Sequence, residues 1–314
     1  MAKSIKEKVY GALFGYAIGD ALGLGTEFMS RKEVERFYPE GLTDYSQIIR
    51  DAHRSQWKRG ECSTDTKIVA VQLESLFDNH GINYLDVARR YRELYDSDNV
   101  DLTPNLRWVL SQHDYAKDPF GTTRKVWDSM RKFEASSECL GRAMFAGIWN
   151  EDLPKTAVEY CRLTHVHPRC EAASAVIAEM AASLMWKDKE ASFDTLIEIA
   201  RQLNPDLMRY IEAARHGTLD DFDLDDQSTF WFVRKAMGCA LWAIWHCDSP
   251  TEALYDIIAH GGDADTNAAL AQGLLGIKYG FESLEPRLVD GLLYKDKVES
   301  LAERLTKLLE ERNK

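Results

Sequence analysis

Residues 11–23 read GALFGYAIGDALG, with Gly11, Gly15, Gly19 and Gly23 at every fourth position. In an α-helix that spacing puts all four on one face. Each glycine costs a helix about 1 kcal/mol relative to alanine. Four in register therefore imply a face pressed against the backbone of another helix. A segment near the other end of the chain carries a matching set, Gly273, Gly276 and Gly280. The apolar run from Val9 to Ile18 stops at Asp20. It falls short of the roughly 20 residues needed to cross a bilayer, so small-residue pairing inside a membrane is excluded.

The helical period continues outward from this stretch. Apolar residues recur at three- and four-residue spacing over 5–23, 64–78, 83–95, 123–133, 138–149, 154–164, 170–187, 194–203, 206–214, 230–246, 251–259, 265–279 and 296–312. Polar or glycine breaks such as DNHG at 78–81 and HCDSP at 246–250 separate them. In the last segment Leu301, Leu305 and either Leu308 or Leu309 turn inward. Alternating strand patterns are rare, and there is no repeat and no break in composition. The expectation is an all-α, single compact multi-helix domain over 1–314, although length alone allows two domains.

Composition narrows the function classes. An apolar share of 45% with 29% charged residues is that of a soluble globular chain. Lys plus Arg total 39 against 51 Asp plus Glu, a formal charge of −12. That argues against a sequence-independent grip on nucleic acid, though a local basic patch or bridging metal ions remain compatible with it. Six cysteines (62, 139, 161, 170, 239 and 247) form no CxxC pair. They suit reduced thiols, and with no signal-peptide pattern the expected location is cytoplasmic.

Three polar clusters stand at helix ends. Asp20 to Phe28 delivers Glu27 to a loop; Gly60 to Lys67 contains Ser63-Thr64-Asp65-Thr66 at a helix start; His260 to Asn267 contains Gly261-Gly262-Asp263-Ala264-Asp265-Thr266 at another. Capping of free backbone N–H groups explains part of this. In the third cluster one aspartate can cap, and the second is then spare. Carboxylate and hydroxyl oxygens at this spacing suit hard cations such as Mg²⁺ or Mn²⁺. The EF-hand pattern is absent. Cys161, His165, His167 and Cys170 are all zinc-ligand types, but their spacing matches no standard finger. A Cys161–His165 pair is a further alternative.

The three clusters, in this order, resemble the ADP-ribosylglycohydrolase family. That family opens with G-A-L-x-G-x-A-x-G-D-A-L-G and a following glutamate, matched by Gly11 to Gly23 and Glu27. Its [ST]-D-D-T motif corresponds to Ser63-Thr64-Asp65-Thr66, and its G-G-D-x-D-T to Gly261 through Thr266, with Tyr279-Gly280 beyond. Thr164-His165 matches a mid-chain T-H. The resemblance spans roughly residues 8–280. It implies an all-α fold and two Mg²⁺ or Mn²⁺ ions that bind the distal ribose of ADP-ribose. Ser63, Thr64, Asp65, Asp263, Asp265 and Thr266 are the implied metal ligands, and Glu27 the implied catalytic carboxylate. Ser137, Gly141, His165, Gly261 and Gly262 are the implied substrate contacts, the last two by close backbone approach. Arg142 either binds phosphate or forms an exposed salt bridge.

The departures matter as much. Thr64-Asp65 stands where the family has two consecutive aspartates; sliding the register by one puts Thr66 in place of the second instead, and either way one acid is missing. Four carboxylates, Glu27, Asp65, Asp263 and Asp265, then face up to two divalent ions, and one ion is expected to bind weakly. Lys67 either offsets part of that loss or is solvated. The aromatics Phe230, Trp231, Phe232, Trp242 and Trp245 are expected mostly in the core, with one of them a candidate to stack on adenine, and the 113–126 segment is read as a loop that gates the cleft. The implied function is metal-dependent hydrolysis of the C1″ glycosidic bond of an ADP-ribosylated substrate, with arginine-linked protein favoured and a small molecule also possible. The alternatives are an ADP-ribose-binding protein with weakened catalysis, and a variant acting on another ADP-ribosyl or nucleoside-like substrate.

Overall fold

In the computed structural model, which describes residues 3–97, 101–130 and 135–313, the chain runs through helices and turns. The first half holds α1 (Ile5–Gly23), α2 (Arg31–Phe37), α3 (Thr64–Asn79), α4 (Tyr84–Asp96), α5 (Pro104–Ser111), α6 (Pro119–Ser129), α7 (Leu140–Trp149) and α8 (Lys155–Arg162). The second holds α9 (Pro168–Lys187), α10 (Phe193–Leu203), α11 (Met208–His216), α12 (Val233–His246), α13 (Pro250–Ala259), α14 (Ala264–Tyr279), α15 (Pro286–Gly291) and α16 (Lys295–Arg312). Among the described residues there is no β-strand; a single antiparallel bridge joins Ser136 to Phe232. No described helix is long and apolar enough to cross a membrane.

Helices α1 and α14 form the centre, antiparallel and in backbone contact. A Cβ on Gly11 would meet the Gly276 carbonyl, one on Gly15 the Gln272 carbonyl, one on Gly19 the Ala268 carbonyl, and one on Gly23 the Asp265 Cα. All lie inside the 3.0 Å that real Cβ contacts respect. The expected partner set is met in part. Gly276 faces Gly11, whereas Gly273 is tight against the Met144 side chain and Gly280 ends α14 at φ 83°. The remaining helices wrap this pair. At α16, Leu301, Leu305 and Leu309 are buried, which resolves the last position in favour of Leu309.

Local signals account for most helix starts. Ser4 with Glu7 and Ser30 with Glu33 form capping boxes at α1 and α2. Helix α6 opens at Pro119 with Asp118 as its cap, so most of the expected 113–126 loop is helical. An Asp-Pro start of this kind outweighs the weak apolar period there. The end of the expected 123–133 helix lies outside the described residues. The short helices α2, α5 and α15 carry too few turns for a period to be read.

Helices α3 and α4 are tied by Asp86, which accepts hydrogen bonds from Ser75 (2.7 Å), Asn79 (3.0 Å), Arg89 (2.6 Å) and Arg90 (2.7 Å). Burial pushes its carboxyl up, but the Ser75, Arg89 and Arg90 hydrogen bonds prevail and hold it well below the usual carboxylate range. A depressed folded pKa stabilises above the unfolded value of about 4, and that stability is lost as pH falls below it. Asp86→Asn should therefore lower the melting temperature at pH 7 by several degrees, on the order of 1–3 kcal/mol. It should also flatten the acid-induced loss below pH ~4. Parallel melting curves across that range would show that the network contributes nothing.

Candidate metal centre and cleft

The backbone contact of α1 with α14 decides where the polar clusters meet. After Gly23 the chain turns through 24–28, and the Phe28 N–H donates to the Gly262 carbonyl (2.7 Å). The Gly262 N–H returns a bond to the Met29 carbonyl (2.9 Å). Glu27 is thereby set beside the start of α14. Buried Arg54 holds the same turn from below, donating to the carbonyls of Gly25 (2.7 Å) and Glu27 (2.5 Å). Asp20, fully buried, accepts from the backbone N–H groups of Ser63 (2.9 Å) and Thr66 (3.1 Å) and from the Thr66 hydroxyl. This fixes the start of α3 against α1.

The result is a cleft of about 360 Å³. It is lined by Glu27, Ser63, Thr64, Asp65, Ser137, Asp263, Asp265 and Thr266 among the expected site residues. Single carboxylate oxygens of Glu27, Asp263 and Asp265 lie within 4.8 Å of one another. Among the described residues this is the only convergent group of three metal-ligating types. Ser63 caps α3, its hydroxyl accepting from the Asp65 N–H (3.1 Å). At α14 neither aspartate makes a side-chain cap bond: Asp263 accepts from Ser137 Oγ (2.6 Å) and Thr266 Oγ1 (2.9 Å). Asp265 Oδ1 and Asp65 Oδ2 are buried without any hydrogen-bond partner. Capping thus explains Ser63 but not the acids.

Electrostatics point the same way. Burial raises the pKa of Asp265 well above the usual range, and Glu27, Asp263 and Asp65 add repulsion. Asp65 is raised by burial and then by Asp20 and Asp263. Burial pushes Asp263 up to about 7, against the Ser137 hydrogen bond. Burial also raises Glu27, opposed by the His53 hydrogen bond at 2.7 Å. None of the described lining residues is lysine or arginine. Buried carboxylates with free oxygens and no cationic side chain among them are the donor set a hard divalent cation requires.

The other expected residues fall behind the cleft wall. Gly261 and Gly262 have positive φ of 70° and 69°, and a Cβ at either would strike the Met29 or Leu224 carbonyl. Their freedom serves the chain's own packing. Gly141 lies under the Tyr16 hydroxyl. His165, buried, contacts Ser136 Oγ (2.8 Å), Asn105 (3.0 Å) and Glu138 (3.1 Å). Arg142 is neither exposed nor in the cleft: it is fully buried, donating to Thr164 Oγ1 (2.5 Å) with its guanidinium over the Tyr91 ring. Lys67 lies 3.9 Å from Glu61 and is outside the lining. The Cys161 and Cys170 thiols donate to the carbonyls of His165 and Ser136, and His167 caps α9. The Thr64 hydroxyl donates to the Asp101 carbonyl. No residue of 113–126 lines the cleft.

Several lining residues carry no motif. Asp101, Asn105 and Ser136 come from loops or short helices between the periodic segments, and Glu138 stands at the first position of the 138–149 segment, just before α7. Phe28 (φ 62°), Trp57, Phe230 and Trp231 form an aromatic rim, with the Phe28 ring 5.2 Å from Phe230 and 4.8 Å from His53. Two of the aromatics expected mostly in the core thus border the cleft.

The profile of the ADP-ribosylglycohydrolase family matches residues 1–314. The chain belongs to that family, a family of hydrolases. It is 24% identical over 286 residues to the ADP-ribosyl-[dinitrogen reductase] glycohydrolase of Rhodospirillum rubrum, covering 90% of this chain and 88% of that protein. It is 23% identical over 311 residues to an ADP-ribosylarginine hydrolase of Pseudomonas putida, covering 95% and 78%. A solved ADP-ribosylglycohydrolase-related protein complex superposes with a TM-score of 0.77 at 22% identity, covering 98% of this chain and 99% of that one. That likeness establishes the fold.

Proposed function

We propose that the protein is a metal-dependent hydrolase that cleaves the C1″ glycosidic bond of an ADP-ribosylated substrate and releases ADP-ribose. The convergence of Glu27, Asp263 and Asp265 carries this reading. The names of two relatives, one a hydrolase of ADP-ribosylarginine and one of an ADP-ribosylated protein, favour arginine-linked protein as the target. Six buried cysteines, none of them in a disulfide, fit a reducing cytoplasm.

In this reading Asp65, Asp263, Asp265, Thr266 and Ser63 hold Mg²⁺ or Mn²⁺, with Thr64 at the edge of the set. When bound, the ions neutralise the cleft, hold a ribose diol and lower the pKa of water. Glu27 manages the proton. Its Oε2 is anchored by His53, and burial keeps its affinity for a proton above that of an ordinary glutamate. Ser137 fixes the rotamer of Asp263 through its 2.6 Å bond. The aromatic rim offers a flat apolar surface to a base.

The test is release of ADP-ribose from an ADP-ribosyl-arginine peptide in Mg²⁺, with a chelator control. Chelator-sensitive release is expected, and Glu27→Gln should slow it by about 10²–10⁴-fold. Wild-type speed in Glu27→Gln would remove Glu27 from the chemistry. ADP-ribose binding without any release would favour the binding-protein reading or another ADP-ribosyl linkage.

A further inference from the structure

Thr64 leaves the cleft one acid short of the family pattern, and an acid to which the resemblance assigns no role lines the same cleft. Glu138 follows Ser137 just before α7. Its side chain is only 7% exposed. One oxygen, Oε2, is held by His165 Nε2 (3.1 Å) and Ser136 Oγ (3.3 Å). The other, Oε1, is buried and has no hydrogen-bond partner. Asp65 Oδ2, lining the same cleft, is buried and unpartnered as well. A carboxylate oxygen out of water with nothing to accept from is costly unless a counter-charge meets it.

The support behind Glu138 is itself ordered. Arg142 donates to Thr164 Oγ1 (2.5 Å), and Thr164 Oγ1 lies 2.7 Å from His165 Nδ1. The His165 ring is thereby held at Nδ1, while Nε2 faces Ser136 Oγ (2.8 Å), the Asn105 amide (3.0 Å) and Glu138 (3.1 Å). The neighbouring Ser137 is bonded to Asp263, so the 136–138 turn is fixed directly against the start of α14. The charge of Glu138 is felt in the cleft, where it adds to the repulsion on both Asp65 and Asp263.

We infer that Glu138 supplies the carboxylate that Thr64 lacks, and that with Asp65 it is the anionic partner of a second divalent cation. The inference rests on the metal-dependent reading above. It restores the count: Glu27, Asp65, Asp263, Asp265 and Glu138 make five acids for two ions, where the motif residues alone make four. It also gives His165 and Arg142 a task, as positioning residues for Glu138 behind the wall. Ligand charge is what sets affinity at such oxygen sites, so a neutral side chain at 138 should be felt by one ion and spared by the other.

The experiment is a Mn²⁺ titration of substrate-free protein by calorimetry, with free Mn²⁺ counted by electron paramagnetic resonance. Wild type, Glu138→Gln, and the Glu138→Gln/Thr64→Asp double variant are compared. Glutamine keeps the shape and can still accept from His165, and melting in chelator checks each fold. Wild type is expected to bind two ions. Glu138→Gln should keep one at wild-type affinity and bind the other at least tenfold more weakly, and adding Thr64→Asp should restore it. Two ions in Glu138→Gln, each within twofold of wild type, would overturn the inference and leave the metal-dependent reading standing. Loss of ADP-ribosyl peptide affinity in that variant with both ions intact would overturn it too, in favour of a substrate contact. A wild type that binds no Mn²⁺ would overturn the metal-dependent reading itself.

Discussion

Asp265→Asn is expected to make the metal-free protein more stable and nearly inactive. The two effects share one cause. Asp265 sits in the first turn of α14, 5% exposed, with Oδ1 unpartnered, and burial first, then Glu27, Asp263, Asp65 and Asp20, raise its pKa. In the absence of cations the fold carries that repulsion, and a neutral amide relieves it. The amide N–H₂ can also donate to the remaining carboxylates. In chelator the melting temperature should rise, by on the order of 2 °C for each kcal/mol in a chain of this size. With Mn²⁺ present the order should invert, because wild type gains RT ln(1 + [L]/Kd) and the variant loses most of it. Activity should fall by about 10²-fold or more if Asp265 holds a cation at the reacting centre. A destabilised variant in chelator would mean a damaged fold. Full activity would sink the metal-dependent reading, because Asp265 belongs to the one convergent triad among the described residues.

The parts of this molecule that were legible in the sequence are those where a local pattern has one physical solution. Four glycines at i, i+4 spacing must meet a backbone, and in α1 they do. Which residues of α14 they meet was not legible. Gly273 is one turn from Gly276, yet it packs against Met144, because the crossing of two helices depends on every side chain between them. The site divides in the same way. Glu27, Ser63, Asp65, Asp263, Asp265 and Thr266 stand at helix ends with motif spacing, and they share a cleft. Gly261 and Gly262 carry the conformational signal, but positive φ only says that something comes close. Here it is the Met29 and Leu224 carbonyls. Asp20 lies on the buried side of a clean helical period, and nothing local shows that its acceptors serve the amides of Ser63 and Thr66. His53 comes from a turn without periodicity and Glu138 from the edge of a periodic segment that says nothing of its partners, so only the folded chain brings them to Glu27 and to the cleft wall.

The glycine face makes a prediction that separates holding the fold from holding the site. Gly11→Ala and Gly23→Ala place the same methyl at the two ends of one contact. At position 11 it meets the Gly276 carbonyl, and at position 23 the Asp265 Cα and N. In a solvent-exposed helix either change would gain up to about 1 kcal/mol. Here every nearest atom belongs to backbone, which cannot rotate away, so each should instead cost about 1–3 kcal/mol or more. Both variants should melt several degrees below wild type. Gly81→Ala, where nothing lies within 4 Å of the added atom, should not. The two ends then diverge. Position 11 is twelve residues, about 18 Å of helix, from position 23, and displacement there reaches the distal part of α14. Displacement at 23 moves Asp265 itself, away from Glu27 on the turn just beyond. Gly23→Ala should therefore lose Mn²⁺ affinity and activity by tenfold or more, while Gly11→Ala, measured well below its melting temperature, keeps both within about threefold. Equal losses at the two positions would mean that the contact acts on the site only through global stability. Unchanged affinity in Gly23→Ala would mean that the cation donors do not depend on the register of α1 against α14, and the structural account of the site would have to be rebuilt from the loops instead.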